Sequence, residues 1–502
     1  MKRIRTAFVI AAIFAGLAAF AGVPMLIPAP REMSVTGGEC QVKAPPKVEV
    51  VKSIPSEGYE LSITANGVTI RYSDDAGLFY AKVTLEQLKD ATKRVPSGDH
   101  ADATKRVPPG PIALPCLEIK DAPAFGWRGL MLDESRRFFG KVAVKKLLDL
   151  MARYKMNVFH WHLTDDQSWR LFIPEYPGLV KKGKKSGSHE HEEPPFYTEN
   201  DVREILAYAT ERHITVVPEI DFPGHFGAVV RAYPQFACAK GARNAMCVGN
   251  PDSVRFAEKV LDRVCELFPS KVVHIGGDEC KAGPWAKCPR CMALVKRENL
   301  GGVKGIQPWL TRHLAGYLAA KGRRLCGWEE IAVGFGKPDA RGESNNDTSL
   351  PDALLPPKEV LVMGYHVKPG AKAANMGYDV VACPNWHCYF DYTQKLPEDP
   401  YRYFRPDIRW LPFEEVYSFD PYEGVKPEAR GRIVGAECCL WTSHVWSVPE
   451  LEWKVWPRGL AVAEVMWANP DPAKRDFAEF SARASEHRRR LIREHVNCAP
   501  LK

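Results

Sequence analysis

Beyond its first two dozen residues, this 502-residue chain has no run apolar enough to span a bilayer, which takes about 20 residues as a helix. A basic stripe interleaved with aromatics is also missing. Lys and Arg number 69 against 61 Asp and Glu, and the net charge of +8 is mild for this length. The one dense cationic run, Lys181-Lys182-Gly183-Lys184-Lys185, reads as a solvated loop. Nucleic acid is therefore not an expected partner. No G-x-S-x-G elbow, phosphate loop or dinucleotide fingerprint occurs, so nothing predicts a serine hydrolase of that kind or a nucleotide-dependent enzyme. No cofactor is expected.

The composition is otherwise globular, 45% hydrophobic and 26% charged, with enough chain for a large core and more than one domain. Lys2, Arg3 and Arg5 precede an apolar stretch, Thr6–Gly22, that contains Ala19-Phe20-Ala21, a small-x-small cleavage pattern. Residues 1–22 read as a signal peptide, which predicts an exported protein, periplasmic or secreted. Fourteen cysteines suit that context. Cys238 and Cys247 bracket a short loop and form the best candidate disulfide. Cys280, Cys288 and Cys291 follow in CKAGPWAKCPRC. The Cys288-Pro-Arg-Cys291 spacing could hold zinc, but no fourth ligand stands nearby in the sequence, and structural disulfides are the favoured reading.

Residues 23–122 read as a small α+β domain. Tyr59–Thr64 and Gly67–Tyr72 alternate apolar and polar residues around an Asn66-Gly67 hairpin signal, and Asp74–Lys89 has helical spacing. The repeated octets ATKRVPSG (91–98) and ATKRVPPG (103–110) are too few for a repeat architecture and read as a duplicated loop. Over 123–502 strand-like runs alternate with helical ones. The runs are Gly129–Asp133, Asn157–Leu163, Ile214–Ile220, Val272–Gly276, Arg324–Trp328, Glu359–Tyr365, Asp379–Cys383 and Ile433–Trp441. Eight strands with helices between most of them predict an α/β fold, a (β/α)8 TIM barrel, with its site at the strand C-terminal ends. The connections between strands 6 and 7 and strands 7 and 8 are less clearly helical.

Polar chemistry collects where those runs stop. Strand 1 ends in Asp133-Glu134-Ser135-Arg136, strand 2 in His160-Trp161-His162 and then Asp165-Asp166, and strand 3 in Glu219-Ile220-Asp221 and then His225. Strand 4 ends in Gly276-Gly277-Asp278-Glu279. Adjacent residues of a regular strand face opposite ways, so two neighbouring acids share a site only where regularity is broken, as two glycines allow. Strands 5 to 8 end near Trp328-Glu329-Glu330, Tyr365-His366, Tyr389-Phe390-Asp391 and Trp441. Aromatic faces stack on sugar rings, acids and Arg hydrogen-bond hydroxyls, and paired carboxylates do the proton work of glycoside hydrolysis. A metal at this rim is not expected, since the His160/His162 pair serves equally as a packed, hydrogen-bonded pair.

Six motifs carry a family resemblance: RGLMLDESR (128–136), HWHLTDDQSWR (160–170), PEIDFPGH (218–225), HIGGDE (274–279), GWEE (327–330) and YFD (389–391). In this order they resemble the exo-acting β-N-acetylhexosaminidases of glycoside hydrolase family 20. The resemblance implies removal of a terminal β-linked N-acetylhexosamine with retention, by substrate-assisted catalysis through an oxazolinium intermediate. Asp278 would orient the acetamide and stabilise its developing charge, and Glu279 would act as acid and then as base. Asp165 and His225 would support Glu279 as a relay, and Arg136 would hold ring hydroxyls. Trp328, Tyr365 and Trp441 would wall the pocket, Tyr389 would hydrogen-bond the acetamide oxygen, and Asp391 would sit beside it. Two positions depart from the family pattern. Trp441-Thr442-Ser443 stands where W-x-E is common, and Tyr365 stands where Trp is common. Both bear on sugar preference, leaving a 6-sulfo-GlcNAc-specific or disaccharide-releasing variant open. Other readings are a carboxylate-nucleophile glycosidase using Glu330 or Glu437 and a non-catalytic glycan-binding barrel.

Overall fold

The computed structural model describes residues 24–92, 112–182, 189–190, 194–238, 245–334, 337–338, 344–345, 352–394, 399–401, 409–469 and 471–501. The expected signal peptide and most of the octet pair lie outside them. The chain divides into two compact units, 1–123 and 124–502.

The first unit is a five-stranded sheet in the order Glu32–Val42, Ile112–Asp121, Tyr59–Thr64, Gly67–Tyr72, Lys47–Val50. The expected hairpin is present, with Thr64 opposite Gly67, so the turn residues are Ala65-Asn66, one earlier than the dipeptide signal. Gly67 takes φ +139°, a conformation side chains resist. A helix, Asp75–Thr92, lies on the sheet and buries Tyr80, Ala81, Leu85 and Leu88 against it. Tyr59 donates its hydroxyl to Asp121 at 2.7 Å, pinning a central strand to its neighbour from within the core.

The second unit is a closed parallel barrel of eight strands. Strands 1 to 4 are Trp127–Asp133, Val158–His162, Thr215–Glu219 and Val272–His274; strands 5 to 8 are Arg324–Trp328, Leu361–Gly364, Asp379–Ala382 and Ile433–Leu440. Strand 1 is buried along its whole length, and strand 2 likewise. That is why these strands read as continuous apolar runs and not as alternating ones: the barrel interior covers one face and helices the other. The helix Gly140–Arg153 shows the complement, turning Val144, Leu147, Leu148 and Met151 inward on one stripe. Thr198 caps Glu199–Thr210 through a reciprocal box with Asp201, and Asn250 caps Pro251–Leu267. Between strands 6 and 7 a helix, Val367–Asn375, fills the connection whose pattern was weak. Its Lys-Pro-Gly opening hides the periodicity.

Register fixes the functional layer. Asp133 pairs with His162, His162 with Glu219, and Glu219 with His274. The last residues of strands 1 to 4 therefore stand level around the barrel. A cavity of about 1030 Å³ opens at the other end, among Lys271, Arg323, Arg324, Lys358, Glu359, Asp379 and Arg432, where strands begin. It holds none of the strand-end chemistry.

No disulfide is formed by any of the fourteen cysteines. Cys238 and Cys247, expected to be joined, instead share one cluster with Cys288 and Cys291. Among the described residues no helix is long and apolar enough to cross a membrane.

Candidate active site

The turn after strand 4 is built by its glycines. Gly276 and Gly277 take φ of +67° and +98°. A Cβ on Gly276 would lie 2.2 Å from the Asp221 carboxylate, and one on Gly277 would lie 2.5 Å from Ile331. Glycine is thus required twice over, by conformation and by space. The backbone leaves the barrel here and delivers Asp278 and Glu279 to the rim as neighbours with different surroundings. The Asp278 side chain is 16% exposed and that of Glu279 is 72% exposed. One Asp278 oxygen is buried with no hydrogen-bond partner in the protein. Glu279 itself adopts φ +48°, and His225 adopts +46°. Positive φ at non-glycine residues is uncommon and clusters at functional sites.

His225 links the pair to strand 2. Its Nε2 lies 3.3 Å from Asp278 and 3.7 Å from Glu279, and its Nδ1 lies 3.2 Å from Asp165. The structure brings Asp165 and His225 together, and His225 reaches Asp278 more closely than Glu279. Burial pushes the His225 imidazole down, yet Asp165 and Asp278 outweigh it and hold its pKa well above the ordinary value. It is flanked by two acids, which favour its charged form. Arg136 binds Asp165 at 2.6 Å and lies 5.0 Å from the Trp441 ring. Burial raises the Asp165 pKa, but Arg136 and His225 overcome that and carry it well below the carboxylate range.

Beneath this layer sits Glu219, fully buried. It accepts His162 Nδ1 at 2.6 Å. His160 Nε2 and His274 Nδ1 stand 3.0 and 2.9 Å from it, and His274 Nδ1 accepts the Gly276 N–H at 3.0 Å. Trp328 donates its indole N–H to the same carboxylate at 2.8 Å. Glu437, also fully buried, binds His160 Nδ1 at 2.7 Å and accepts the Trp127 indole at 2.9 Å. With all its bonds spent inside the core, Glu437 is not placed as a nucleophile. Glu219, His162 and His274 were legible only as parts of motifs. Their role as a scaffold depends on the register, which no local pattern states. Several of these groups are metal-ligand types within reach of each other, as are Asp165, Asp166 and His225. His162 is held between Glu219 and Asp165, and His225 Nδ1 is held by Asp165.

Strands 5 to 8 supply an aromatic box. Trp328 stands 5.8 Å from Tyr365, edge to face, and 5.8 Å from Trp441. Tyr389 lies 6.4 Å from Tyr365, stacked, and 6.0 Å from Trp441. The four expected aromatics thus meet in one ring. Tyr365 gives its hydroxyl to Glu330, a buried carboxyl whose pKa burial and Glu329 push well up. Glu330 is therefore the hydroxyl's anchor and stands behind the wall. Asp391, two residues past Tyr389, keeps one buried oxygen without a partner, and burial lifts its carboxyl to about 6. Arg137 donates to the Ser443 carbonyl at 3.1 Å and lies 3.9 Å from the Trp446 ring, so a cation stands at the departure from the family pattern.

A parallel barrel with an acid pair, a histidine set between acids and an aromatic box at one rim is the architecture of a barrel glycoside hydrolase. Comparison with known proteins narrows the class. The family described as Glycosyl hydrolase family 20, catalytic domain, matches residues 125–470, and Glycosyl hydrolase family 20, domain 2, matches residues 39–122. A beta-hexosaminidase of Porphyromonas gingivalis is 34% identical over 90% of this chain and 55% of its own length. A beta-hexosaminidase of Vibrio furnissii is 33% identical over 81% of this chain and 64% of its own. This chain thus spans less than two thirds of either relative. The crystal structure of an exo beta-N-acetylglucosaminidase of Vibrio harveyi in complex with N-acetylglucosamine superposes with a TM-score of 0.80 at 26% identity, covering 95% of this chain and 78% of that one. The chain belongs to glycosyl hydrolase family 20.

Proposed function

We propose that this protein is a retaining exo-glycosidase that releases a terminal β-linked N-acetylhexosamine, GlcNAc or GalNAc, from glycans with help from the substrate's own acetamide. The observation that carries the reading is the unequal placement of the acid pair. Asp278 is set into the rim with an unpartnered oxygen, and Glu279 faces solvent. The names of the relatives support the substrate class.

In the first step the acetamide carbonyl oxygen bonds to the anomeric carbon while the bond to the leaving oxygen breaks. Glu279 gives that oxygen its proton, and the aglycone departs as an alcohol. Positive charge builds on the acetamide, where the Asp278 carboxylate accepts its N–H and offsets the charge. In the second step Glu279 takes a proton from water, which opens the oxazolinium at the anomeric carbon. His225 holds Asp278 in line, and Asp165 holds His225. Trp328 and Trp441 wall the sugar, and Tyr389 donates its hydroxyl to the acetamide oxygen. Arg136 and Asp391 hold ring hydroxyls. We further propose that the chain is exported after loss of its leader.

Aryl β-glycosides of GlcNAc, GalNAc and glucose test this. Turnover of the N-acetyl sugars is expected, with glucose nearly inert. Glu279→Gln should lower kcat by about 10²–10⁴ on poorly activated leaving groups. A glucoside cleaved as fast as the GlcNAc compound would sink substrate assistance in favour of a carboxylate nucleophile. A second reading, preference for a 6-sulfo sugar, is favoured by Ser443 in place of the usual acid with the Arg137 guanidinium against it. A higher kcat/KM on aryl 6-sulfo-GlcNAc than on GlcNAc, lost in Arg137→Met, would establish it.

A further inference from the structure

The loops that follow strands 3 and 4 meet at four sulfurs. Cys238 Sγ lies 3.6 Å from Cys291 Sγ, and Cys247 Sγ lies 3.7 Å from Cys288 Sγ and 3.8 Å from Cys291 Sγ. All four sulfurs fall within 4.8 Å of one another. Two disulfides would make two pairs near 2.05 Å, a spacing none of these contacts approaches. Here Cys247 and Cys291 each neighbour more than one sulfur at nearly equal distance, which is a cluster and not a set of pairs. A tetrahedral zinc thiolate has Zn–S bonds near 2.3 Å, which places its sulfurs about 3.8 Å apart. The observed separations lie at that value.

The frame around the cluster is built to hold it. Cys288 immediately precedes the helix Pro289–Arg297, and Cys291 lies in that helix's first turn. On the other side Cys238 and Cys247 flank a bridge between Ala237 and Met246. Trp285 donates its indole to the Met246 carbonyl at 2.9 Å, and Arg290 donates to the Ala237 carbonyl at 3.3 Å. Gly249 runs so close that a Cβ there would lie 2.3 Å from the Arg290 backbone. Cys247, Cys288 and Cys291 are buried, and Cys238 is half-buried. The sequence spacing of Cys288 and Cys291 suggested a metal but lacked partners; the fold brings them from the preceding loop.

We propose that Cys238, Cys247, Cys288 and Cys291 bind one zinc ion as four thiolates. With four protein ligands the ion has no open position, so its role is structural. It clips the loop bearing His225 to the loop that begins at Glu279, positioning both across the rim.

The test is metal analysis of the full chain purified without chelator. About one zinc per chain is expected, together with four thiols that react with a thiol reagent only after a chelator strips the metal. Cobalt substitution should give the absorption of a tetrahedral cobalt thiolate. Cys291→Ser and, as a milder change at the half-buried position, Cys238→Ser should each lower zinc content severalfold. Metal-free wild-type protein whose intact mass and peptide map show two disulfides among these four cysteines would overturn the proposal. So would zinc retained in full by both variants. Neither readout needs a sugar substrate, so failure here is separable from failure of the proposed hydrolysis.

Discussion

Glu279 reaches its place because Gly276 gives up a side chain. At φ +67°, with the Asp221 carboxylate 2.2 Å from where a Cβ would go, alanine at 276 must displace either the turn or Asp221. Gly276→Ala should cost about 1–3 kcal/mol of stability and lower kcat more than it raises KM, because the acid pair moves while the aromatic box does not. Thermal melts beside steady-state kinetics check both halves. At this scale the sequence was informative about Asp278 and Glu279, whose chemistry sits in one motif. It was silent on the direction of His225, which lies closer to Asp278 than to the acid it was expected to serve. A three-dimensional turn, with positive φ at His225 and Glu279, decides that distance.

The strand ends act as one element. Glu219 gathers three histidines and an indole because strands 1 to 4 end level, and Glu437 completes the set from strand 8. Burial alone would push the His160 pKa down, but Glu437 and Glu219 outweigh it and hold it up at about 9. The folded chain therefore binds this proton more tightly than the unfolded chain, whose ordinary value is about 6.5. Its contribution to stability is full below about 6.5 and is lost as pH rises through about 9. Melting temperatures across that window should fall, and Glu437→Gln, which removes the largest raising charge, should flatten the fall. The strands themselves were legible from their apolar runs, with ends that stop one or two residues early in all but strands 1 and 5. Strand 4 ends at His274, short of the expected Gly276, because the glycine turn takes over. The helix between strands 6 and 7 was not legible, since a Pro and a Gly in its first turns mask a short amphipathic stripe. Tyr365 lies beside Trp328 and Tyr389, but its hydroxyl belongs to Glu330, a partner on another strand end that only the closed barrel brings near.

At the scale of the molecule, the eight-strand alternation announced the barrel, and every expected strand is in it. The cysteines were the part least open to linear reading, because their grouping joins two loops 41 to 53 residues apart. Parallel strands also give the barrel unlike ends. The reactive rim is at one, and the cavity lined by Lys271, Arg323, Arg324, Lys358 and Arg432, with Glu359 and Asp379, is at the other. That polarity is a handle for immobilisation. On a sulfonate resin the protein should seat by its strand-start end and turn the carboxylate rim to the flow, keeping most of its kcat. Random amine coupling should keep less. A charge-reversed variant, Lys358→Glu with Lys271→Glu, should elute at lower salt and lose that advantage. Orientation on a support would then be set by the direction in which all eight strands run.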